Sequence, residues 1–421
     1  MKIDVLLGLQ WGDEGKGKIV DALSPEYDVI ARFQGGPNAG HSLEFNDVKH
    51  VLHLIPSGIF HPDKINIIGN GVVLDPAVFK QETESLGLTL EELTNRLIVS
   101  TRANLILPTH RILDAAYEFQ KGNLKIGSTL KGIGPAYTDK ASRNGLRVGD
   151  IMNKNFRTLY EGHKEGHLAI LKNYDFKFDL AEFESGWFEG IELIKRFRIE
   201  NTEYLLNRLL SEGKRILAEG AQGTMLDLDF GSYPYVTSSN TISAGACTGL
   251  GISPKDIGEV FGIFKAYCTR VGSGPFPTEL FDSTGELLRR KGCEYGATTG
   301  RPRRCGWLDI PALKYAIMIN GVTKLFMMKS DILSGFETVK VCTSYIVEGK
   351  EQNEMLFDNN TQIDPVYADL KGWHENISEI KDFRLLPEKL IIYIDFIEKQ
   401  TGIPITLVSV GPNRKSTIIR G

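Results

Sequence analysis

Near the start of the chain, Gly12-Asp-Glu-Gly-Lys-Gly-Lys18 combines small residues with both signs of charge. Small residues let successive amide groups converge on an anion, and a helix starting there adds its dipole. The loop follows an apolar run ending at Leu9 and leads into Ile19-Val-Asp-Ala-Leu23. Gly12, Gly15, Gly17 and the cations of Lys16 and Lys18 therefore describe a phosphate cradle, against the plain alternative of a solvated turn. Gly12-x4-Gly17-Lys18 matches most of a P-loop, but Ile19 stands where the magnesium-binding hydroxyl belongs. A dinucleotide fingerprint fails too, because Val20 takes the third glycine position. Asp13 and Glu14 are repelled by phosphate unless they hold a metal or a proton in transit. A helix N-cap is the other reading for Asp13.

A second loop, Gly35-Gly-Pro-Asn-Ala-Gly-His-Ser42, follows another apolar run. Asn38 and the Gly40 backbone can contact phosphate or metal there, and His41 can exchange a proton near neutral pH. His50, His53 and His61 lie in mixed apolar sequence without carboxylate company and read as packing or solvated residues. His163 and His167 are one helical turn apart but do not form a His-Glu-x-x-His zinc motif.

Toward the C-terminus, Lys324-Leu-Phe-Met-Met328 runs into Lys329-Ser330-Asp331. A carboxylate in that position can accept two hydrogen bonds from the N1–H and amine of guanine, and adenine would leave it unpaired. The aliphatic part of Lys329 can cover the base, with Ser409-Val-Gly-Pro412 completing the pocket. This favours GTP as the nucleotide; a surface ion pair is the plain alternative. Gly296-Ala-Thr-Thr-Gly-Arg-Pro-Arg-Arg-Cys-Gly306 gathers arginines and threonines on a glycine-hinged loop suited to a small dicarboxylate or a phosphate. Ser128 to Pro135, Arg143 and Glu219 to Thr224 add further polar, glycine-rich stretches. Several anionic substrates should meet at such a site.

These loops need a scaffold. Apolar runs at Ile3–Leu9, Tyr27–Phe33, Ile65–Ile68, Arg215–Ala218, Glu259–Tyr267, Thr323–Met328 and Ile403–Val410 alternate with amphipathic stretches, which predicts an α/β fold with a largely parallel sheet. Asp75-Pro76 reads as a helix start with Gly87 near its end, and Thr89 to Glu92 as a capping box. Helices are expected over Thr109–Lys121, Trp187–Glu212 and Leu386–Thr401, ending at Gly122, Gly213 and Gly402. The 421 residues fit one large domain, with 102–212 as a helical insertion because it lacks strand signals. Glycine, at 44 residues, exceeds the usual ~7% and clusters in the loops above. The 49 basic against 53 acidic residues argue against an extended nucleic-acid footprint, and no apolar run reaches the ~18 residues of a membrane span. Five cysteines without a Cys-x-x-Cys pair suit a reducing cytoplasm.

Gln10-Trp-Gly-Asp-Glu-Gly-Lys-Gly-Lys18, Gly35 to His41, Gly132-Ile-Gly-Pro-Ala-Tyr137, Glu219-Gly-Ala-Gln-Gly223, Tyr233-Pro-Tyr-Val-Thr-Ser-Ser-Asn240 and the Thr-Thr-Gly-Arg loop closely resemble the adenylosuccinate synthetase family along nearly the whole chain. The resemblance implies a mostly parallel α/β fold with a P-loop-like GTP site. It also implies a GTP-dependent ligase that joins IMP and L-aspartate through 6-phosphoryl-IMP, a cytoplasmic homodimer using Mg²⁺ and contacting neither nucleic acid nor membrane. By matching positions, Asp13, His41, Lys16 and Gln222 would be catalytic. Gly12, Glu14, Gly15, Lys16, Gly17, Lys18, Gly40, His41, Ser42, Arg303, Lys329, Ser330, Asp331, Ser409, Val410 and Gly411 would hold GTP. Asp13, Asn38, Ala39, Thr129, Arg143, Gln222, Thr237 and Arg301 would hold IMP, Arg143 reaching it from the partner subunit. Thr298, Thr299, Gly300, Arg301 and Arg303 would receive aspartate, and Asp13 with the Gly40 carbonyl would bind Mg²⁺. Pro302 replaces an arginine found in some members, and Ser128 a threonine. A GTP-binding switch would leave the arginine loop unexplained, and a dehydrogenase would need an intact dinucleotide fingerprint.

Overall fold

The computed structural model describes residues 2–45, 48–122, 125–296, 300–356, 358 and 361–420. Runs such as Ile3–Gly8 and Ile216–Glu219 are buried along almost their whole length, so their backbones must find neighbours on both sides. They do so in a ten-stranded sheet. Its strands in chain order are β1 (Ile3–Gly8), β2 (Val29–Arg32), β3 (Ile65–Ile68), β4 (Leu97–Ser100), β5 (Arg198–Glu200), β6 (Ile216–Glu219), β7 (Ile257–Lys265), β8 (Lys324–Met328), β9 (Ile405–Ser409) and β10 (Thr417–Ile419). Across the sheet the order is β10-β9-β8-β7-β1-β6-β2-β3-β4-β5. Only the β9–β10 pair is antiparallel. The expected mostly parallel α/β architecture is present, with each expected strand in this sheet.

Twelve α-helices accompany it: α1 (Lys16–Leu23), α2 (Pro76–Ser85), α3 (Leu90–Arg96), α4 (Pro108–Gln120), α5 (Ile133–Ser142), α6 (Phe156–Leu171), α7 (Ala181–Ile194), α8 (Thr202–Ser211), α9 (Ala244–Leu250), α10 (Ser283–Gly292), α11 (Ile310–Asn320) and α12 (Glu388–Thr401) among the described residues. Asp75 caps α2 through Ala77 and Val78, and Thr89 with Glu92 forms the capping box of α3. One expectation is corrected. The single helix across Trp187–Glu212 is α7, then β5, then α8. Lys195-Arg-Phe-Arg-Ile-Glu200 alternates in polarity as a strand does. Phe197 is buried edge-on against Phe79 with ring centroids 5.1 Å apart, which takes the chain out of the helix and onto the sheet edge beside β4. Within residues 102–212, α4 to α8 are helical and Arg198–Glu200 joins the sheet as β5.

α4, α5 and α6 are joined by a buried triad. His110 Nε2 and His167 Nε2 lie 2.9 Å and 3.0 Å from the same Asp139 Oδ2. His167 thus has a carboxylate partner that its spacing from His163 did not suggest. The ligand-type atoms lie within 4.8 Å of one another, as in a metal site. However, His110 Nδ1 accepts the Leu107 amide at 3.0 Å, so a neutral ring carries its proton on Nε2 and donates it to Asp139. A metal there would require an imidazolate, and the triad is a hydrogen-bonded clasp. Among the described residues no helix is long and apolar enough to cross a membrane.

Candidate active site

The loops at residues 12–18, 35–42 and 219–224 follow the C-terminal ends of β1, β2 and β6, while residues 128–135 and 300–306 reach the same edge from the connections after α4 and α10. This is the usual ligand edge of such a sheet. They line one cavity of ≈ 1480 Å³.

α1 begins at Lys16 on Gly15, whose φ of 98° suits glycine, and no side chain caps it. Asp13 is therefore not the cap. It takes a left-handed φ of 59°, and Arg303 Nε donates to its Oδ2 at 2.8 Å. Glu14 turns the opposite way and is buried. Its Oε1 accepts the amides of Gln10 at 3.1 Å and Gly12 at 2.9 Å, and its Oε2 takes the Lys16 amine. The two carboxylates thus separate: Asp13 faces the cavity, and Glu14 shapes the loop and balances Lys16. Lys18 lines the cavity and also tethers the C-terminal segment. Its Nζ donates to Ser409 Oγ and Gly411 O, each at 2.7 Å, and to Ser416 O at 3.0 Å, and burial brings its pKa down to about 8. Ile19 is fully buried in an apolar cluster, so no P-loop hydroxyl position faces the cavity.

His41 starts a strand, His41–Phe45, packed so close to α1 that a Cβ on Gly17 would stand 2.7 Å from the histidine Cβ. Its Nδ1 pairs with Glu219 Oε1 at 2.5 Å, and Ser57 donates its amide (2.8 Å) and hydroxyl (2.7 Å) to the same carboxylate. Burial, then the charge of Arg32, pushes the His41 pKa down to about 4, so the ring is neutral with its proton on Nδ1. Its buried Nε2 has no protein partner and belongs to the cavity wall. Behind it, Glu82 accepts three amides, from His53, Leu54 and Ile55, and burial pushes its pKa up to about 7. His53 and His50 serve packing as expected, while His61 pairs with the Asp21 carboxylate at 3.0 Å.

On the next wall, Gln222 at φ 56° donates from Nε2 to Asn38 Oδ1 at 3.2 Å. Gln34 holds the same loop through both Ala221 backbone groups and Gln222 Oε1. Asp114 and Glu118 on α4 accept from Ser128, Gly127 and Gly132, which fixes the backbone around Thr129. Ala39, Gly40, Ser42, Thr129, Thr237 and Arg301 line the cavity, with Arg301 donating to Gly127 O at 3.1 Å. Arg143 stands exposed in the left-handed C-cap of α5 and does not line it.

At the far end, Lys329 is left-handed (φ 59°), and its Nζ donates to Gly292 O at 2.6 Å and Glu294 Oε1 at 2.8 Å. Asp331, Ser409 and Gly411 line the cavity, and burial raises the Asp331 carboxyl above its usual range. Ser330 gives its hydroxyl to Ser409 O, and Val410 is fully buried, so neither lines the cavity. Arg304, beside Arg303, turns away to Glu279, Gly272 and Gly274. Gly300 has φ 66°, and Pro302 bridges to Tyr295. Thr298 and Thr299 lie outside the described residues. For a divalent cation, Asp13 and Gly40 both line the cavity, and a carboxylate with a backbone carbonyl is a hard oxygen set that fits Mg²⁺.

Sequence reasoning passed over Glu219 as the histidine's partner, and also Gln34, Asp114, Glu118, Lys265 and Glu294. Their contacts cross between elements, over 178 positions for His41–Glu219 but only 9 for Glu118–Gly127.

A family model described as adenylosuccinate synthetase matches residues 5–418. The adenylosuccinate synthetase of Bacteroides fragilis (strain YCH46) is 60% identical over 420 residues, covering 100% of this chain and 99% of that protein. That of Parabacteroides distasonis is 59% identical over 420 residues with the same coverage. The solved structure of fully ligated adenylosuccinate synthetase from Plasmodium falciparum superposes with a TM-score of 0.95 at 40% identity, covering 100% of both chains.

Proposed function

Because the chain belongs to the adenylosuccinate synthetase family, we infer that it joins IMP and L-aspartate at the expense of GTP, yielding adenylosuccinate, GDP and phosphate. Asp13 takes the N1 proton of IMP, so that O6 becomes nucleophilic and attacks the γ-phosphorus of GTP, releasing GDP. The aspartate amine then displaces phosphate from C6 and loses a proton. Phosphorylation replaces a poor oxygen leaving group by a good one. His41 Nε2 takes up a proton from solvent and donates it in a hydrogen bond to the transferred phosphoryl oxygens, while Glu219 holds the ring and balances its charge. Lys16 leaves Glu14 for phosphate, and Gln222, paired with Asn38, orients the purine.

GTP lies along the first glycine loop with its base at Asp331. IMP occupies the wall of Asn38, Ala39, Thr129, Thr237 and Arg301, and aspartate the arginine loop of residues 298–303. Mg²⁺, held by Asp13 and Gly40, would supply charge neutralisation at the phosphates. The exposure of Arg143 supports its donation to a partner's IMP site in a homodimer. Cytoplasmic location is supported by cysteines that are all unpaired. Strands from both ends of the chain in one sheet support a single domain carrying the helical stretch.

The observation that carries this reading is Asp13, held toward a cavity whose walls also present His41 Nε2, Asn38, Gln222 and the half-buried Asp331 carboxylate. Phosphate release from GTP is measured with IMP and aspartate supplied singly and together. Turnover that needs both supports the ligase, and equal hydrolysis without either overturns it.

A further inference from the structure

Behind the cavity, Glu294 is fully buried and does not line the site. Its carboxylate receives Lys265 Nζ on both oxygens, at 3.0 Å and 2.9 Å, and the Tyr267 hydroxyl on Oε1. Lys329 Nζ reaches Oε1 at 2.8 Å, and Arg303 Nη1 reaches Oε2 at 2.5 Å. Arg303 in turn holds Asp13 through Nε. Three cations therefore converge on one buried carboxylate, and Asp13 is the only other carboxylate bonded to any of them among the described residues. Lys265 and Tyr267 come from the end of β7, Lys329 from the end of β8, and Arg303 from the arginine loop. Lys265 and Tyr267 are themselves buried and have no route to a ligand, so they fix the carboxylate in place. The two remaining arms, Lys329 and Arg303, both line the cavity at different substrate regions.

We propose that Glu294 is a positioning residue that couples the guanine end of the site to the arginine loop, holding Lys329 and Arg303 in one set so that nucleotide bound over Lys329 presents Arg303 to the amino-acid substrate. The coupling follows from geometry. Both arms draw on the one negative charge of this carboxylate, so a shift of one arm changes how strongly the other is held. Removing the negative charge leaves Lys265, Lys329 and Arg303 facing one another, and the two mobile arms move apart. The assignment rests on the substrate regions given above.

The test is steady-state kinetics on the full chain, with adenylosuccinate formation as readout, for wild type, Glu294→Gln and Glu294→Asp. Loss of one charge-assisted anchor at each arm raises the KM for GTP and for aspartate by about tenfold in Glu294→Gln, with the IMP KM within about twofold. Glu294→Asp, which keeps the charge, recovers at least one of the two and carries the test if Glu294→Gln does not fold. In the wild-type background Lys329→Met also raises the aspartate KM, and in Glu294→Gln it does not. A fall in kcat with all three KM values unchanged is what simple structural damage gives and overturns the assignment. So does a Lys329→Met effect confined to GTP. A wild-type protein that forms no adenylosuccinate overturns the underlying reaction instead.

Discussion

Replacing Glu219 by Gln removes one charge from behind the cavity wall while conserving shape. In the native protein this carboxylate takes the His41 Nδ1 proton and two donors from Ser57, with Arg32 buried nearby and no carboxylate in ion-pair contact with it among the described residues. Glutamine keeps one acceptor oxygen and turns an amide against a donor, so either the serine or the histidine loses its partner. A hydrogen bond to a charged group is worth about 1.5–3 kcal/mol. His41 needs that charge most when its Nε2 meets a phosphoryl oxygen and the ring becomes cationic. The loss therefore falls on the transition state, about 10- to 100-fold in kcat. Glu219 does not line the cavity, so KM values for GTP, IMP and aspartate should hold within about twofold. The assay is initial-rate phosphate release, with a melting curve to confirm the fold. A kcat within twofold of wild type would refute the idea that the Glu219 charge sustains His41.

Three further predictions rest on separate parts of the molecule. Asp331→Asn loses the acceptor pair for guanine, and the GTP-over-ATP preference in kcat/KM should fall at least tenfold, on the order of one charged hydrogen bond; unchanged discrimination sinks the guanine-reader argument. Lys18→Met frees Ser409, Gly411 and Ser416 together, so amide exchange across residues 410–416 should accelerate without any nucleotide, which a lysine acting only on phosphate would not cause. Asp309 is buried with one unpartnered oxygen, and desolvation raises its pKa to about 6. Below its ordinary pKa of 3.8 both folded and unfolded chains hold the proton; between 3.8 and about 6 only the unfolded carboxyl ionises, so stability falls across that window and stays lowered above it. Asp309→Asn should therefore raise Tm more at pH 8, where about 3 kcal/mol is at stake, than at pH 5, where roughly half remains. Equal gains at both pH values would contradict the buried-charge account.

The central strands were legible because apolar runs such as Leu6, Leu7 and Leu9 have nowhere to go but a covered sheet. β5 was not, since Arg198-Ile-Glu200 carries one apolar residue and is a strand only because β4 offers its edge. Asp13, His41 and the 12–18 loop announced themselves by chemistry set among glycines. Lys18 reads as a phosphate ligand in sequence, and only the fold shows that its amine also holds the C-terminal segment. Glu294 and Glu219 carried no local signal, because a buried carboxylate is recognisable only by the cations, hydroxyls and amides that surround it in space.

The Lys18 tether spans 391, 393 and 398 positions to its acceptors. One side of the cavity is thus made by residues 12–18 and another by Ser409, Gly411 and Pro412, held together by a single amine, so β1 and α1 alone cannot form it. Removing residues 409–416 would take all three Lys18 acceptors at once, so that short stretch carries more of the local order than its length suggests.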